Sequence, residues 1–136
     1  MLRFIEPRAV METILLVDDN PLRALLRKSL LEDYAPAVMR VMDAGEALCL
    51  VESPEIALSL TLVITGHKMS GISGPEFVAE LRSRLPHVVV LVLSTSPGAE
   101  NEYQGMQGVF YSETKSTDDL RILAARLLSL GEKQTA

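Results

Sequence analysis

Acidic, glycine and hydroxyl residues stand at the ends of apolar runs in this sequence of 136 residues. They are Asp18 and Asp19 after the first run, Gly66 after the third and Ser94 after the fourth. Paired carboxylates are the hard oxygen ligands that Mg²⁺ prefers, and a metal ion held there could neutralise the charge that develops in phosphoryl transfer. These residues could act together only in a fold that brings the ends of the runs to one place.

The apolar runs alternate with helical patterns, which predicts five successive βα units. Strands are predicted at residues 14–17, 38–41, 60–65, 88–93 and 109–111. Helices are predicted to begin at Pro21, after Asp43, at Pro75, at Ala99 and after Ser116. Such units form a parallel sheet with helices on both faces, and ligands bind at the carboxyl ends of its strands. The residues predicted at that edge are Asp18, Asp19, Gly66, Ser94, Ser112 and Glu113.

The first helix carries leucines at helical spacing. They are Leu22, Leu25, Leu26 and Leu30. Residues three and four apart lie on one face of a helix, and an apolar face normally packs against the core. We therefore expect these leucines to point inward.

Composition narrows the class of protein. Lys and Arg total 13 against 18 Asp and Glu, so the net charge is −5, which disfavours direct binding to nucleic acid or to anionic lipid. The longest apolar run, Val88 to Leu93, is far shorter than the ~18 residues of a membrane span. Cys49 is the single cysteine, so no intramolecular disulfide can form. These features favour a cytoplasmic protein with one domain at 13–130, an N-terminal extension at 1–12 and a tail at 131–136.

The order and spacing of these pieces resemble the receiver domain of two-component response regulators. The resemblance is carried by Leu16-Val17-Asp18-Asp19, by Leu62-Val63-Ile64-Thr65 with Met69-Ser70-Gly71-Ile72-Ser73-Gly74, and by Leu93-Ser94. It covers about Thr13 to Leu130. It implies an α/β, flavodoxin-like (βα)5 three-layer sandwich whose parallel five-stranded sheet has the order 2-1-3-4-5.

The resemblance also implies roles for particular residues. In this family an acidic pair and a third aspartate hold Mg²⁺, and the third aspartate accepts a phosphoryl group from a kinase histidine. Asp18 and Asp19 match the pair, with Asp19 as the direct metal ligand, and the backbone carbonyl of Lys68 matches a further ligand. Ser94 matches the family's phosphoryl-binding hydroxyl, and Phe110 matches its switch aromatic. With no phosphoryl group to bind, Ser94 could instead form the turn before Pro97-Gly98, and Phe110 could have a fixed packing role.

Two residues of the family site are missing from this sequence. The phosphoacceptor position falls on Gly66, which has no side chain to act as a nucleophile. The family's lysine falls on Glu113, or on Ser112 in a second alignment. A Glu113 carboxylate beside Asp18 and Asp19 would place like charges together. A single engineered change at Gly66 would not explain the loss of the lysine as well.

The sequence therefore predicts a degenerate receiver, or pseudo-receiver, that keeps the fold and has lost phosphotransfer. We expect no enzymatic activity, no cofactor and weak or absent Mg²⁺ binding. Its partners would be proteins, such as a sensor histidine kinase or an output protein. A homodimer would form through the fourth helix (99–104), the fifth strand and the last helix, the face that the family commonly uses.

Other interpretations remain open at this point. Asp18 or Asp19 could act as a displaced, Mg²⁺-dependent phosphoacceptor. The same topology could hold a small molecule such as a flavin, an alternative that rests on fold analogy alone. Finally, Asp18 and Asp19 could be only a pair of anions at the positive start of the first helix.

Overall fold

The computed structural model describes residues 12–35, 37–113 and 117–135. Five strands form one parallel sheet in the order β2-β1-β3-β4-β5, which confirms the predicted fold class. The strands are β1 (Thr13–Val17), β2 (Ala37–Val41), β3 (Leu60–Gly66), β4 (Val89–Leu93) and β5 (Val109–Ser112). The chain reverses its direction of travel across the sheet after β2, so the carboxyl ends of β1 and β3 frame the place where ligands of such sheets bind.

Helices cover both faces of the sheet. They are α1 (Pro21–Leu31), α2 (Ala44–Leu50), α3 (Pro54–Ser59), α4 (Gly74–Arg84) and α5 (Thr117–Thr135), with a 3₁₀ segment at Ala99–Tyr103. The predicted second helix ends before Pro54 as expected, and the proline then starts a separate short helix. The predicted fourth helix is the 3₁₀ segment. Ser116, the predicted cap of the last helix, lies outside the described residues.

Local capping explains where two of these helices begin. The Asn20 side chain accepts the backbone N–H of Arg23 at 2.9 Å, and the Asp43 side chain accepts that of Glu46 at 2.8 Å. Each bond satisfies one of the free N–H groups at a helix start. At the other end of the chain, α5 continues to Thr135, beyond the predicted domain boundary at Leu130.

The core has two layers because successive strand residues point to opposite faces. On one face Ile14 and Leu16 of β1 pack with Leu120 and Ala124 of α5. On the other face Leu15 packs in the layer that contains Phe77 and Leu81 of α4. Within the described part of the chain, no helix is long and apolar enough to cross a membrane.

The orientation of α1 corrects the prediction for its leucines. Leu22, Leu25 and Leu26 are 73%, 64% and 62% exposed, and only Leu30 of the predicted stripe packs against the core. The inward face instead carries Ala24 and Leu31, which are buried. Arg23 and Arg27 lie on that same side, four residues apart, and both reach the buried carboxylate of Asp18. This orientation places two cations beside the buried charge, which they compensate.

Candidate functional site

A cavity of about 260 Å³ opens at the carboxyl edge of the sheet. The predicted residues that line it are Asp18, Asp19, Gly66, Lys68 and Ser94. Two further residues that line it, Arg23 and Arg27, had no predicted role. Three other predicted site residues, Phe110, Ser112 and Glu113, do not line this cavity. The structure thus gathers the ends of β1, β3 and β4 as expected, and adds two cations from α1.

Both oxygens of the Asp18 carboxylate are bound by arginines. The guanidinium of Arg23 donates from Nη2 to Oδ1 at 2.7 Å and from Nε to Oδ2 at 3.0 Å. The guanidinium of Arg27 donates from Nη1 to Oδ2 at 3.0 Å. The backbone N–H of Asn20 adds a bond to Oδ1 at 3.0 Å. Since the Asp18 side chain is 0% exposed, these donors replace water around the carboxylate.

The electrostatics keep Asp18 ionised. Burial alone raises the pKa of its carboxyl, but the hydrogen bonds from Arg23 and the Asn20 backbone, together with the charges of Arg23 and Arg27, lower that pKa below its ordinary value. The bond to Asp18 correspondingly raises the pKa of Arg23, and burial lowers that of Arg27. The Asp18 cluster is therefore a fixed group of charges at neutral pH.

The backbone of Asp18 is held as well. Its N–H donates to the carbonyl of Val41 at 3.0 Å, and its carbonyl accepts Nε of Arg40 at 3.0 Å. Asp19 is different, because its side chain is 58% exposed and its nearest ion-pair contact is Arg23 Nη2 at 3.5 Å. Of the two acids, Asp18 is built into the fold and Asp19 faces solvent at the rim of the cavity.

Gly66 is the last residue of β3 and stands in the middle of the site. It is in register with Leu93, which is in turn in register with Ser112. A Cβ built on Gly66 would have Met69 Cγ at 3.9 Å and the carbonyl oxygens of Leu93 and Lys68 at 4.0 Å, which are ordinary contacts. Gly66 is also not among the positive-φ glycines. Neither space nor backbone geometry requires glycine here, so a residue with a Cβ would fit at this position.

The loop after β3 is fixed by a residue that sequence reasoning missed. Tyr103, from the 3₁₀ segment, is buried and its hydroxyl lies 2.7 Å from Nδ1 of His67. Nε2 of His67 lies 3.3 Å from Oε2 of Glu102. A carboxylate only accepts hydrogen bonds, so a neutral His67 would donate from Nε2 and accept the Tyr103 hydroxyl at Nδ1. Burial also raises the pKa of Tyr103, which keeps its hydroxyl protonated.

Three further residues that the sequence singled out are Ser94, Phe110 and Glu113. Ser94 accepts the backbone N–H of Ser96 at its Oγ at 3.0 Å, and its own N–H donates to the carbonyl of Ser112 at 3.1 Å. Its hydroxyl thus forms a turn in this structure. Phe110 is 38% exposed on β5, and Glu113 is exposed. The charges next to Asp18 are arginines, in place of the like charge that was expected from Glu113.

The donors at this site do not fit a magnesium ion. Mg²⁺ requires several free oxygen ligands in near-octahedral arrangement. Here both oxygens of Asp18 accept hydrogen bonds from two guanidinium cations, and Gly66 supplies no carboxylate. In the parts of the chain that the structure describes, no three His, Cys, Asp or Glu side chains are grouped closely enough to hold a metal ion.

The fold and this strand-end site define a receiver domain. The chain belongs to the response regulator receiver domain family, whose sequence model matches residues 14–124. It is similar to the hydrogenase transcriptional regulatory protein HoxA of Cupriavidus necator, with 30% identity over 95 residues, which are 69% of this chain. The match spans only 18% of HoxA. The chain is thus a receiver domain of two-component signalling.

Solved structures agree on the fold. The signal receiver domain of an HD domain-containing protein from Pseudomonas fluorescens Pf-5 has a TM-score of 0.79 at 18% identity, over 98% of this chain and 96% of that one. The response regulator receiver protein from Sinorhizobium medicae WSM419 has a TM-score of 0.75 at 20% identity, over 89% of this chain and 97% of that one. At such identities the likeness concerns the fold alone.

Proposed function

We propose that this receiver domain acts through protein contacts that do not depend on its own phosphorylation. The observation that carries the proposal is Gly66, which ends β3 inside the cavity and offers no nucleophile. Asp18 supports it, since a carboxylate with both oxygens bound to arginines is a poor nucleophile and a poor metal ligand. In this account the domain is not an enzyme and needs no cofactor.

The partners that this function requires are proteins, such as a sensor histidine kinase or an output protein. The net charge of −5 argues against direct contact with nucleic acid or an anionic membrane, and it suits a cytoplasmic signalling component. For self-association we propose the face formed by the 3₁₀ segment, β5 and α5. Phe110, which is 38% exposed, supplies an apolar side chain on β5.

Sedimentation velocity of the full chain, with and without a small phosphodonor and Mg²⁺, tests this function. We expect the same sedimentation coefficients in both conditions. A dimer that appears only with phosphodonor and Mg²⁺ would contradict the proposal. Within a constitutive dimer, Phe110→Ser should weaken association, whereas Leu22→Ser on α1 is the matched control on a second exposed apolar surface.

A displaced phosphoacceptor is the competing function. Asp19 is the candidate that the geometry leaves available, because its carboxylate is 58% exposed and Asp18 is enclosed. This alternative requires Mg²⁺-dependent labelling that disappears in Asp19→Asn. A small-molecule function would instead require a ligand that copurifies with the protein or binds the cavity.

A further inference from the structure

We infer that Arg23 and Arg27 take the place of a divalent cation at this site and exclude one, even if a carboxylate is restored at position 66. The inference deepens the proposed loss of phosphotransfer by adding a second cause that is separate from Gly66. It concerns the metal, whereas the proposed function concerns phosphoryl uptake and protein contacts.

The charges of the acidic and basic side chains at the cavity balance one another. Asp18 and Asp19 carry two negative charges, and Arg23 and Arg27 carry two positive charges within ion-pair distance of them. The acidic pair is therefore already neutralised by the chain itself. In the wild-type chain a divalent cation placed there would meet two fixed guanidinium charges and no excess of negative charge, and the restored carboxylate of Gly66→Asp would add only one negative charge.

Hydrogen bonds occupy both carboxylate oxygens of Asp18. Arg23 spans both of its oxygens, and Arg27 and the Asn20 N–H add one bond each. A metal ion could bind Asp18 only if these bonds broke. Since the carboxylate is fully buried, breaking them also removes the groups that replace its water.

The fold holds Arg23 and Arg27 in place. They are four residues apart on α1, so they project from the same side of the helix. Asn20 caps the start of α1 and fixes its first turn beside Asp18. The side chain of Arg27 is only 21% exposed, so most of it is packed in the wall of the cavity. The cations are thus organised before any ligand arrives.

Position 66 has room for a side chain to begin. The nearest atoms to a Cβ at Gly66 lie 3.9 to 4.0 Å away, so Gly66→Asp introduces no clash at its Cβ. A metal site that depended only on the lost aspartate would return in this variant. A site that the arginines also close would not.

Mg²⁺ binding to three full-length variants tests the inference by calorimetry and by thermal unfolding. Gly66→Asp alone should give no saturable heat and no Mg²⁺-dependent rise in Tm. Gly66→Asp with Arg23→Gln and Arg27→Gln should give both. Gly66→Asp with Arg126→Gln, which removes an exposed arginine on α5, is the matched control and should behave like the first variant.

Two outcomes would overturn the inference: Mg²⁺ binding to Gly66→Asp as tight as to the triple variant, or no binding by a triple variant that circular dichroism finds folded. If the triple variant does not fold, Gly66→Asp decides by NMR spectroscopy. Its Arg23 Nε–H resonance should stay unchanged in an Mg²⁺ titration, and a saturable shift would overturn the inference. Phosphoryl labelling of the wild-type protein would contradict the proposed function and leave these metal results to be judged separately.

Discussion

The guanidinium of Arg23 grips the carboxylate of Asp18 through two nitrogens, with Nη2 at 2.7 Å from Oδ1 and Nε at 3.0 Å from Oδ2. This pair joins the end of β1 to the first turn of α1. It converts a buried acid, which alone would be costly, into a satisfied part of the core edge. In the proposed function, the same contact removes Asp18 from the chemistry that the resemblance to the receiver family implies for it.

Removal of either arginine should destabilise the fold. Arg27→Ala leaves the buried Asp18 with one cation fewer, and we expect a loss of about 2 kcal/mol in the free energy of unfolding, the range for a hydrogen bond to a charged group. Arg126→Ala, on an exposed part of α5, should change it by less than about 0.5 kcal/mol. Urea unfolding measures both. Equal effects of the two substitutions would contradict a structural role for Arg27.

The hydrogen-bonded Asp18 carboxylate should make the free energy of unfolding depend on pH. Because the folded state lowers the pKa of Asp18, the unfolded chain binds more protons at low pH. The stabilisation is complete above the ordinary aspartate range near pH ~4 and is lost as the pH falls through the lowered pKa. Urea unfolding of wild type and Asp18→Asn should therefore converge from pH 7 towards pH 3. A constant difference across this range would contradict the prediction.

The orientation of α1 makes a sharp prediction for two leucines. Leu25 is 64% exposed, so Leu25→Ala should cost less than about 0.5 kcal/mol. Leu31 is fully buried, so Leu31→Ala should cost about 2–5 kcal/mol. Both can be measured by urea unfolding. If Leu25→Ala proves as costly as Leu31→Ala, the helix faces the sheet with its leucines after all.

The contact between Tyr103 and the loop after β3 can be tested at Gly74. A Cβ at this position would overlap the Tyr103 hydroxyl and would lie 3.0 Å from the backbone of His67. We expect Gly74→Ala to cost about 1–3 kcal/mol, as overpacking typically does. Tyr103→Phe removes the obstructing oxygen, so in a double-mutant cycle it should recover part of that cost. Strict additivity of the two substitutions would show that the hydroxyl does not fill this space.

The sequence was sufficient for the sheet and for part of the cavity lining. Apolar runs gave the strands, and the topology of parallel sheets then brought Asp18, Gly66 and Ser94 to one edge. The glycine at the phosphoacceptor position could be predicted because Gly66 lies three residues before Met69, the spacing that the family resemblance requires. The roles of these residues stay predictions that the experiments above address.

The orientation of α1 was not readable from its leucines. The periodicity of Leu22, Leu25 and Leu26 predicted an inward face, and the structure has them outside. Hydrophobic periodicity takes no account of a buried charge on the neighbouring strand end. Arg23 and Arg27, spaced four apart soon after Asp18, were the available signal.

The contact between His67 and Tyr103 had no signal in the sequence. The two residues lie 36 positions apart and belong to a loop and a short 3₁₀ segment, so no periodic pattern relates them. Only the path of the chain after β4 brings them together. Contacts of this kind depend on loop geometry, which residue spacing does not encode.

The most direct test of the central claim is the intact mass of the full chain after incubation with a small phosphodonor and Mg²⁺. We predict an unchanged mass, because Gly66 offers no nucleophile and Asp18 is bound by Arg23 and Arg27. A stable gain of one phosphoryl group would contradict the account, and its disappearance in Asp19→Asn would identify Asp19 as the acceptor.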